Sequence, residues 1–330
     1  MAILFMNKKE FDVICIGAAL VDMIAKVERH PEEDDEVFVS ELNMLSGGAA
    51  ANTAYACAKL GLKTAFIGKL GTADIFKNKI IEDFETVNVN CDFIKYSKEY
   101  TTGTAYVALN PKGDRRIYAY SGAANYLSGQ DILENEIIKA RVIFLSSLKN
   151  LEPFINAAKI SKVNNIPVIL NPGMLIIDQG FTNISELLRY IDILILSKRE
   201  FMVLFNISEK NINEKFIWQE AEKLFNLGIK SIIVTMGAKG ALLLDFEKFE
   251  LISSFPVKKV IDTTGAGDSF SAGFIYGFSQ NLEYKFDSLK RCVEIGNYIA
   301  SCCIQELGAR NGIPNINDLK HFLNEKSKNF

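Results

Sequence analysis

Histidine is nearly absent from this chain: two residues in 330, His30 and His321. The six cysteines (Cys15, Cys57, Cys91, Cys292, Cys302, Cys303) lie mostly inside apolar runs and never stand in Cys-x-x-Cys spacing. A zinc site, which draws on clustered Cys and His ligands, is therefore not expected. The cysteines read as buried thiols in a reducing, cytoplasmic setting. No stretch approaches the roughly 20 apolar residues of a membrane span. Met1–Met6 is too short for the apolar core of a signal peptide, and Lys8, Lys9 and Glu10 follow at once. Positive charge has no surplus: the net charge is −3 and the basic residues are scattered, so no nucleic-acid partner is expected. There is no Gly-x-x-x-x-Gly-Lys-Ser/Thr, which excludes a P-loop. No Gly-x-Gly-x-x-Gly follows a strand, which weakens a dinucleotide reading.

What the chain does have is a 48% hydrophobic composition, enough for one large or two ordinary domains. With no repeat or evident linker, a single domain over 1–330 is the expectation. Val13–Gly17, Val142–Leu145, Val168–Leu170, Ile193–Leu196 and Ile232–Val234 read as strands, apolar on both faces. Pro153–Val163, Ser185–Tyr190 and Glu214–Leu227 read as helices between the later ones. Continuous apolar strands separated by helices predict a doubly wound, mainly parallel α/β sheet covered on both sides. Thr104–Leu109 and Arg115–Tyr120 flank Asn110-Pro111-Lys112-Gly113-Asp114 and predict a hairpin. With Val37–Val39, residues 37–45 and 92–121 would form a small inserted antiparallel sheet. The tail after Asn324 is expected to fray.

Chemistry concentrates in Asp262-Thr263-Thr264-Gly265-Ala266-Gly267-Asp268-Ser269-Phe270. Lys258–Ile261 before it reads as a strand end, and Ser271–Phe278 after it as a buried helix. A Gly-Ala-Gly turn opening a helix leaves backbone N–H groups unpaired at its positive end, which makes an anion hole suited to phosphate. Gly265, Ala266 and Gly267 keep the way clear for it. An acid inside such a hole, Asp268, makes sense as the base that takes a proton from a hydroxyl attacking a phosphoryl group. Its alternative is a helix N-cap, a role Asp fills well. Gly47-Gly48 opens a second helix over Ala49–Leu60, stopped by Gly61, and places Asn52 in its first turn where an amide meets a hydroxylated ligand.

The nonapeptide closely resembles the C-terminal signature of the ribokinase-like (PfkB) family of carbohydrate and nucleoside kinases. Ser46–Ala54 resembles that family's first signature. Gly122–Asn125, Thr235–Gly240 and Gly308-Ala309 fall in the family's order, so the resemblance runs from about Asp12 to Pro314. It implies transfer of the γ-phosphate of ATP, with Mg²⁺, to a primary hydroxyl of a sugar or nucleoside. It implies that the inserted sheet is a lid over that acceptor and the contact of a homodimer. It also implies that Asp22, together with Gly47, Gly48 and Asn52, meets the acceptor. Thr235, Gly237 and Asn297 would serve the nucleotide, and Glu200 would hold Mg²⁺ through water. Asp262–Thr264 with Cys303–Gly308 resembles a loop pair that holds a monovalent cation such as K⁺, with Asp262 at the site. The rival class is a binding protein that kept the fold without catalysis.

Two departures stand out. The family's Asn-x-x-Glu is Ser197-Lys198-Arg199-Glu200 here, and Ser197 cannot supply both functions of an amide. Lys77 stands where a glycine is common. The lysine typical of ribokinases proper is also missing, since Ala49 follows Gly48. Three acceptor classes remain open. Arg115, Arg116 and Tyr118 on the hairpin suit the carboxylate of an acidic sugar such as ketodeoxygluconate. Tyr106, Tyr118 and Tyr120 suit stacking on a nucleoside base. A neutral sugar needs neither.

Overall fold

β-Branched and aliphatic runs become strands whose alternate side chains enter two separate cores. Val13 and Cys15 pack into one, Ile14 and Ile16 into the other, and all four are fully buried. The computed structural model describes residues 9–208 and 212–328. The expectations for Met1–Met6 and for the last two residues lie outside that range.

In chain order the strands are β1 (Phe11–Gly17), β2 (Leu20–Val27), β3 (Val39–Gly47), β4 (Thr64–Ile67), β5 (Lys69–Gly71), β6 (Lys95–Ser97) and β7 (Gly103–Leu109). They continue with β8 (Arg115–Tyr120), β9 (Ala140–Ser146), β10 (Val168–Asn171), β11 (Ile193–Ser197), β12 (Ser231–Thr235), β13 (Ala241–Leu244) and β14 (Phe249–Ile252). Eight of them form the main sheet in the order β14-β13-β12-β11-β10-β9-β1-β4. It is parallel except where β13 pairs with β12 and β14. The doubly wound α/β architecture is as the sequence predicts. Among the described residues no helix is long and apolar enough to cross a membrane.

A four-stranded lid sheet, order β3-β2-β7-β8, stands apart from the main sheet. Its outer pairings are antiparallel and β2–β7 is parallel. The expected ranges 37–45 and 92–121 miss β2 altogether. They also take in Lys95–Ser97, which instead pairs with β5 in a two-stranded ribbon. Lys258–Ile261 is no strand: both lysines are exposed, and the segment is tied only by Ile261 and Asp262 N–H donating to the Ile304 carbonyl. The tail beyond Asn324 is helical through Lys328, within a helix that begins at Ile316 and buries Leu319.

Three helices position the site. Helix α1 (Ala49–Lys59) starts at Gly48, whose φ of 93° no β-carbon residue adopts easily. Helix α2 (Ile75–Thr86) is capped by Asp74, which accepts the Lys77 N–H at 2.7 Å. The cradle helix, Ala266–Asn281, packs on the helix Phe286–Cys303 through glycine. A β-carbon on Gly273 would lie 2.9 Å from the Cα of Gly296, so the two helices approach as closely as backbone allows.

Candidate active site

The cradle turn is as tight as its residues permit. Gly265 is left-handed at φ 76° and is the N-cap of the cradle helix. A β-carbon there would meet the Ala309 side chain at 2.5 Å. Gly267 differs: nothing lies within 4 Å of where its β-carbon would be, so the first turn faces open space. Asp268 sits in that first turn but caps nothing, because no side chain caps this helix. Its Oδ2 accepts instead from Asn52 Nδ2 at 2.9 Å, across the junction of the cradle helix and α1. The N-cap alternative is thereby excluded.

Asn52 is buried and uses both ends of its amide, since its Oδ1 accepts from Arg310 Nε at 2.9 Å. Burial pushes the Asp268 carboxyl up to about 6; the Asn52 hydrogen bond and the Arg310 charge oppose that rise, and Glu200 adds to it. A carboxyl near 6 is matched to proton transfer at neutral pH. Asp22 is likewise pushed up to about 6 by burial against the pull of Arg310. It lies within β2, the third residue of a lid strand. A β-carbon on Gly47 would collide with its carboxylate, so that glycine makes room for the acid.

Lid register decides which residues look at the site. Asp22 pairs with Leu45 and Ala105, and Ala105 with Ala119, so these four share one face. That face turns to the main domain, because Leu45 approaches Gly308 and Arg115 lies 3.5 Å from Asp262. Met23, Met44, Tyr106 and Tyr118 are paired one position along and occupy the opposite face. Tyr120 and Arg116 share it, and Arg116 donates to the Pro31 carbonyl at 3.1 Å. The structure therefore separates Tyr106, Tyr118 and Arg116 from Asp22, Asn52 and Asp268. A one-residue difference in register inverts the face, which alternation alone does not reveal.

On the other side of the cradle lies a cavity of about 480 Å³. Thr235, Gly237, Ala266, Gly267 and Asn297 all line it, with Phe270, Val257 and Ile304 among its apolar walls. Its size and mixed lining are those of a small-ligand site. Gly237, at φ 60°, has nothing within 4 Å of its missing β-carbon, which allows a ligand to approach its backbone. Asn297 is more engaged than its position suggested. Its Nδ2 donates to the carbonyls of Ile252 and Ser253, fixing the cavity wall and leaving only Oδ1 for a ligand.

The two expected metal positions are partly committed to structure. Ser197 and Glu200 form a capping box: Glu200 N–H donates to Ser197 Oγ, and Ser197 N–H to Glu200 Oε2 at 2.7 Å. The serine thus caps the helix that begins at Lys198. Asp262 accepts from the N–H and hydroxyl of Thr264 with Oδ1 and from Gly308 N–H with Oδ2. Burial alone would raise its pKa, but the Thr264 and Gly308 hydrogen bonds and Arg115 outweigh it and hold it below the usual value. Its side chain fastens two loops and is not a free ligand. Among the described residues no group of three or more His, Cys, Asp or Glu is placed to hold a metal ion.

Arg310 was not singled out from the sequence, although it follows Gly308-Ala309 directly. It is 8% exposed, and burial lowers its pKa to about 10 against the pull of Asp83, Tyr55, Asp268 and Asp22. Its Nη1 and Nη2 have no hydrogen-bond partner.

Residues 10–316 match the model of the pfkB family carbohydrate kinases. The chain is 30% identical over 305 residues to a ribokinase of Staphylococcus aureus, covering 92% of this chain and 96% of that one. It is 27% identical over 314 residues to a deoxyribokinase of Salmonella typhimurium, covering 94% and 98%. Among solved structures, Arabidopsis thaliana ribokinase complexed with ribose and ATP superposes with a TM-score of 0.85 at 29% identity, covering 95% of this chain and 98% of that one. The nucleoside kinase of Methanocaldococcus jannaschii, at 24% identity and a TM-score of 0.76 over 96% and 99%, shares the fold.

Proposed function

The chain belongs to the pfkB family of carbohydrate kinases, and from that premise we propose that it phosphorylates a neutral pentose on its primary hydroxyl, with ATP as donor and Asp268 as base. One observation carries this reading. Asp268 is hydrogen-bonded to Asn52, follows directly on Ala266 and Gly267 of the cavity wall, and shares the charge of Arg310 with the lid-side acid Asp22. A polyol there finds two carboxylates that accept and an amide.

In the reaction, the acceptor hydroxyl gives its proton to Asp268 as its oxygen attacks the γ-phosphorus, and the bond from that phosphorus to the bridging oxygen of ADP breaks. The N–H groups at the start of the cradle helix stabilise the charge on the transferring group. Closure of the lid excludes water, the competing acceptor.

The lid supports a pentose over the alternatives. Its site-facing side carries Ile24, Leu45, Ala105, Val107, Ile117 and Ala119, with Asn43 opposite Ile24 and Arg115 paired to Asp262; none of these offers an aromatic ring for a base. The relatives named ribokinase and deoxyribokinase agree with that choice.

Mg²⁺ would arrive with ATP and would supply positive charge against the phosphates. Glu200 would meet it through water with Oε1, since Oε2 takes the Ser197 N–H. A monovalent cation such as K⁺ would be held by backbone carbonyls of 262–264 and 303–308, with Asp262 fastening the two loops. On the outer lid face Leu42, Met44, Tyr118 and Tyr120 are exposed. A second copy of the chain is the partner that suits this apolar face. All six cysteines are free, as in the cytoplasm, the compartment of this reading.

The test is ATP-dependent phosphorylation across ribose, deoxyribose, fructose, ketodeoxygluconate, adenosine, inosine and cytidine. Turnover of ribose or deoxyribose well above the rest is expected. Turnover of a nucleoside or an acidic sugar alone would overturn the pentose reading.

A further inference from the structure

A guanidinium group has only donors, and a carboxylate only acceptors; an amide between them has one satisfactory orientation. Asn52 is in that position. Its Oδ1 receives Arg310 Nε at 2.9 Å, and its Nδ2 gives to Asp268 Oδ2 at 2.9 Å. Turned over, the same amide would set an oxygen against the carboxylate and an NH₂ against an N–H. Both contacts would be repulsive. Arg310 therefore determines which end of Asn52 faces the base.

We propose that Arg310 is a positioning residue for phosphoryl transfer, holding the Asn52 amide so that it donates to Asp268. The role rests on the reading of Asp268 as the base. The burial of Arg310 supports it. A buried guanidinium whose two terminal nitrogens make no hydrogen bond costs stability, and an apolar side chain would fill the space more cheaply. The arginine is also held from behind. Its Nη1 lies 3.8 Å from Asp83 Oδ2. Asp83 in turn accepts from Ser46 Oγ at 2.6 Å and from Lys79 Nζ at 2.6 Å. The guanidinium carbon sits 5.0 Å from the Tyr55 ring centre and 5.7 Å from that of Phe84. The chain Lys79–Asp83–Arg310–Asn52–Asp268 thus runs from the surface of α2 to the base. Lysine at 310 would keep the charge but not the fork that points Nε at Asn52 while Nη1 faces Asp83.

A double-mutant cycle tests this. Arg310→Met and Arg310→Lys are made in the wild type and in Asn52→Ala, and kcat is measured with saturating ATP and pentose. In the wild type each change should lower kcat about 10–100-fold, the cost of a base or partner set slightly out of place, with the KM for ATP within about twofold. In the Asn52→Ala background the same changes should cost less than about threefold, because Arg310 acts through the missing amide. Should Arg310→Met fail to fold, the Arg310→Lys cycle alone decides. Equal losses in both backgrounds, in an enzyme that turns over a pentose, would overturn this role alone. A wild-type protein inert on every acceptor would overturn the kinase reading of the site and this role with it.

Discussion

Arg115, near the tip of the lid hairpin, lies 3.5 Å from the Asp262 carboxylate at the mouth of the phosphate cradle. Its Nη1 is also 3.5 Å from the Thr264 hydroxyl. Asp262 itself ties the cradle loop to Gly308. The lid hairpin therefore meets the loop that leads into the cradle helix through Arg115, by an ion pair to Asp262 and a contact with the Thr264 hydroxyl. Arg116, one residue on, points to the other side of the sheet and donates to the Pro31 carbonyl.

The two arginines should consequently behave differently. Arg115 is 47% exposed in its side chain, so its pair is screened and worth at most about 1 kcal/mol. Arg115→Ala should raise the acceptor KM by up to about fivefold, with a smaller change in kcat, as lost closure implies. Arg116→Ala should leave both constants within about twofold. Steady-state kinetics on the accepted pentose decide it. A larger effect at Arg116 would put Arg116, not Arg115, in contact with the acceptor.

Asp268→Asn should nearly abolish transfer. Loss of a general base costs about 10²–10⁴-fold. ATP affinity should stay close to normal, because the nucleotide cavity is lined by Ala266 and Gly267 but not by Asp268. Single-turnover kinetics and calorimetric titration with ATP separate the two. A variant keeping most of its kcat would leave Asp268 with no catalytic task.

The same acid makes stability depend on pH in an unusual direction. Its folded pKa of about 6 is above its ordinary value of 3.8. The folded protein therefore binds this proton more tightly than the unfolded chain does. Its contribution favours folding fully below about pH 4 and is lost as pH rises through 6. Above that, ionised Asp268 is a liability of ~1–3 kcal/mol. Asp268→Asn should accordingly raise Tm at pH 8 and show little gain at pH 4, with Arg310 still facing Asp22 and Asp83. The acid limb of wild-type kcat/KM should fall near pH 6. Thermal melts across pH 4–8 would show a gain of the opposite sign if burial does not dominate at Asp268.

The cradle was legible because its signal is local. A Gly-Ala-Gly turn followed by small apolar residues specifies both the backbone and the packing, and Gly273 against Gly296 confirms how closely that helix must lie. The main sheet was legible for a similar reason, since strands apolar on both faces have few alternatives. The lid was not. Its strand Leu20–Val27 carries Asp22, Met23 and Lys26, a weak pattern, and the faces of β7 and β8 depend on pairing with it. That is why Tyr106, Tyr118 and Arg116 were assigned to the acceptor. Arg310 was illegible because its partners Asn52, Asp83 and Asp268 come from three distant segments and meet only in the fold. The commitment of Asn297 to the carbonyls of Ile252 and Ser253 was hidden in the same way.

The outer lid face makes its own prediction. Tyr118, on the edge strand β8, is 68% exposed on the same face as Leu42 and Met44 of the opposite edge strand β3, and the proposed partner copy would cover all three. Tyr118→Glu should shift the protein from dimer to monomer in sedimentation experiments, since a charge buried in an apolar contact is costly to desolvate. The accepted substrate should not change, because Tyr118 lies across the sheet from Asp22. A wild-type monomer at micromolar concentration would remove the dimer.

The capping box at Ser197 makes the last prediction, one in which two roles of Glu200 can be separated. As a cap, Glu200 needs only an oxygen to accept the Ser197 N–H, which glutamine also offers. As a partner of the Mg²⁺ shell it needs negative charge, which glutamine lacks. Glu200→Gln should therefore leave Tm almost unchanged and raise the Mg²⁺ concentration for half-maximal rate. It should also move the acid limb of the pH profile slightly downward, because Glu200 is one of the charges that raises Asp268. Ser197→Asn should be neutral or mildly activating, since asparagine caps as well as serine does. If Glu200→Gln lowers Tm and leaves the Mg²⁺ titration alone, the carboxylate serves the helix rather than the metal.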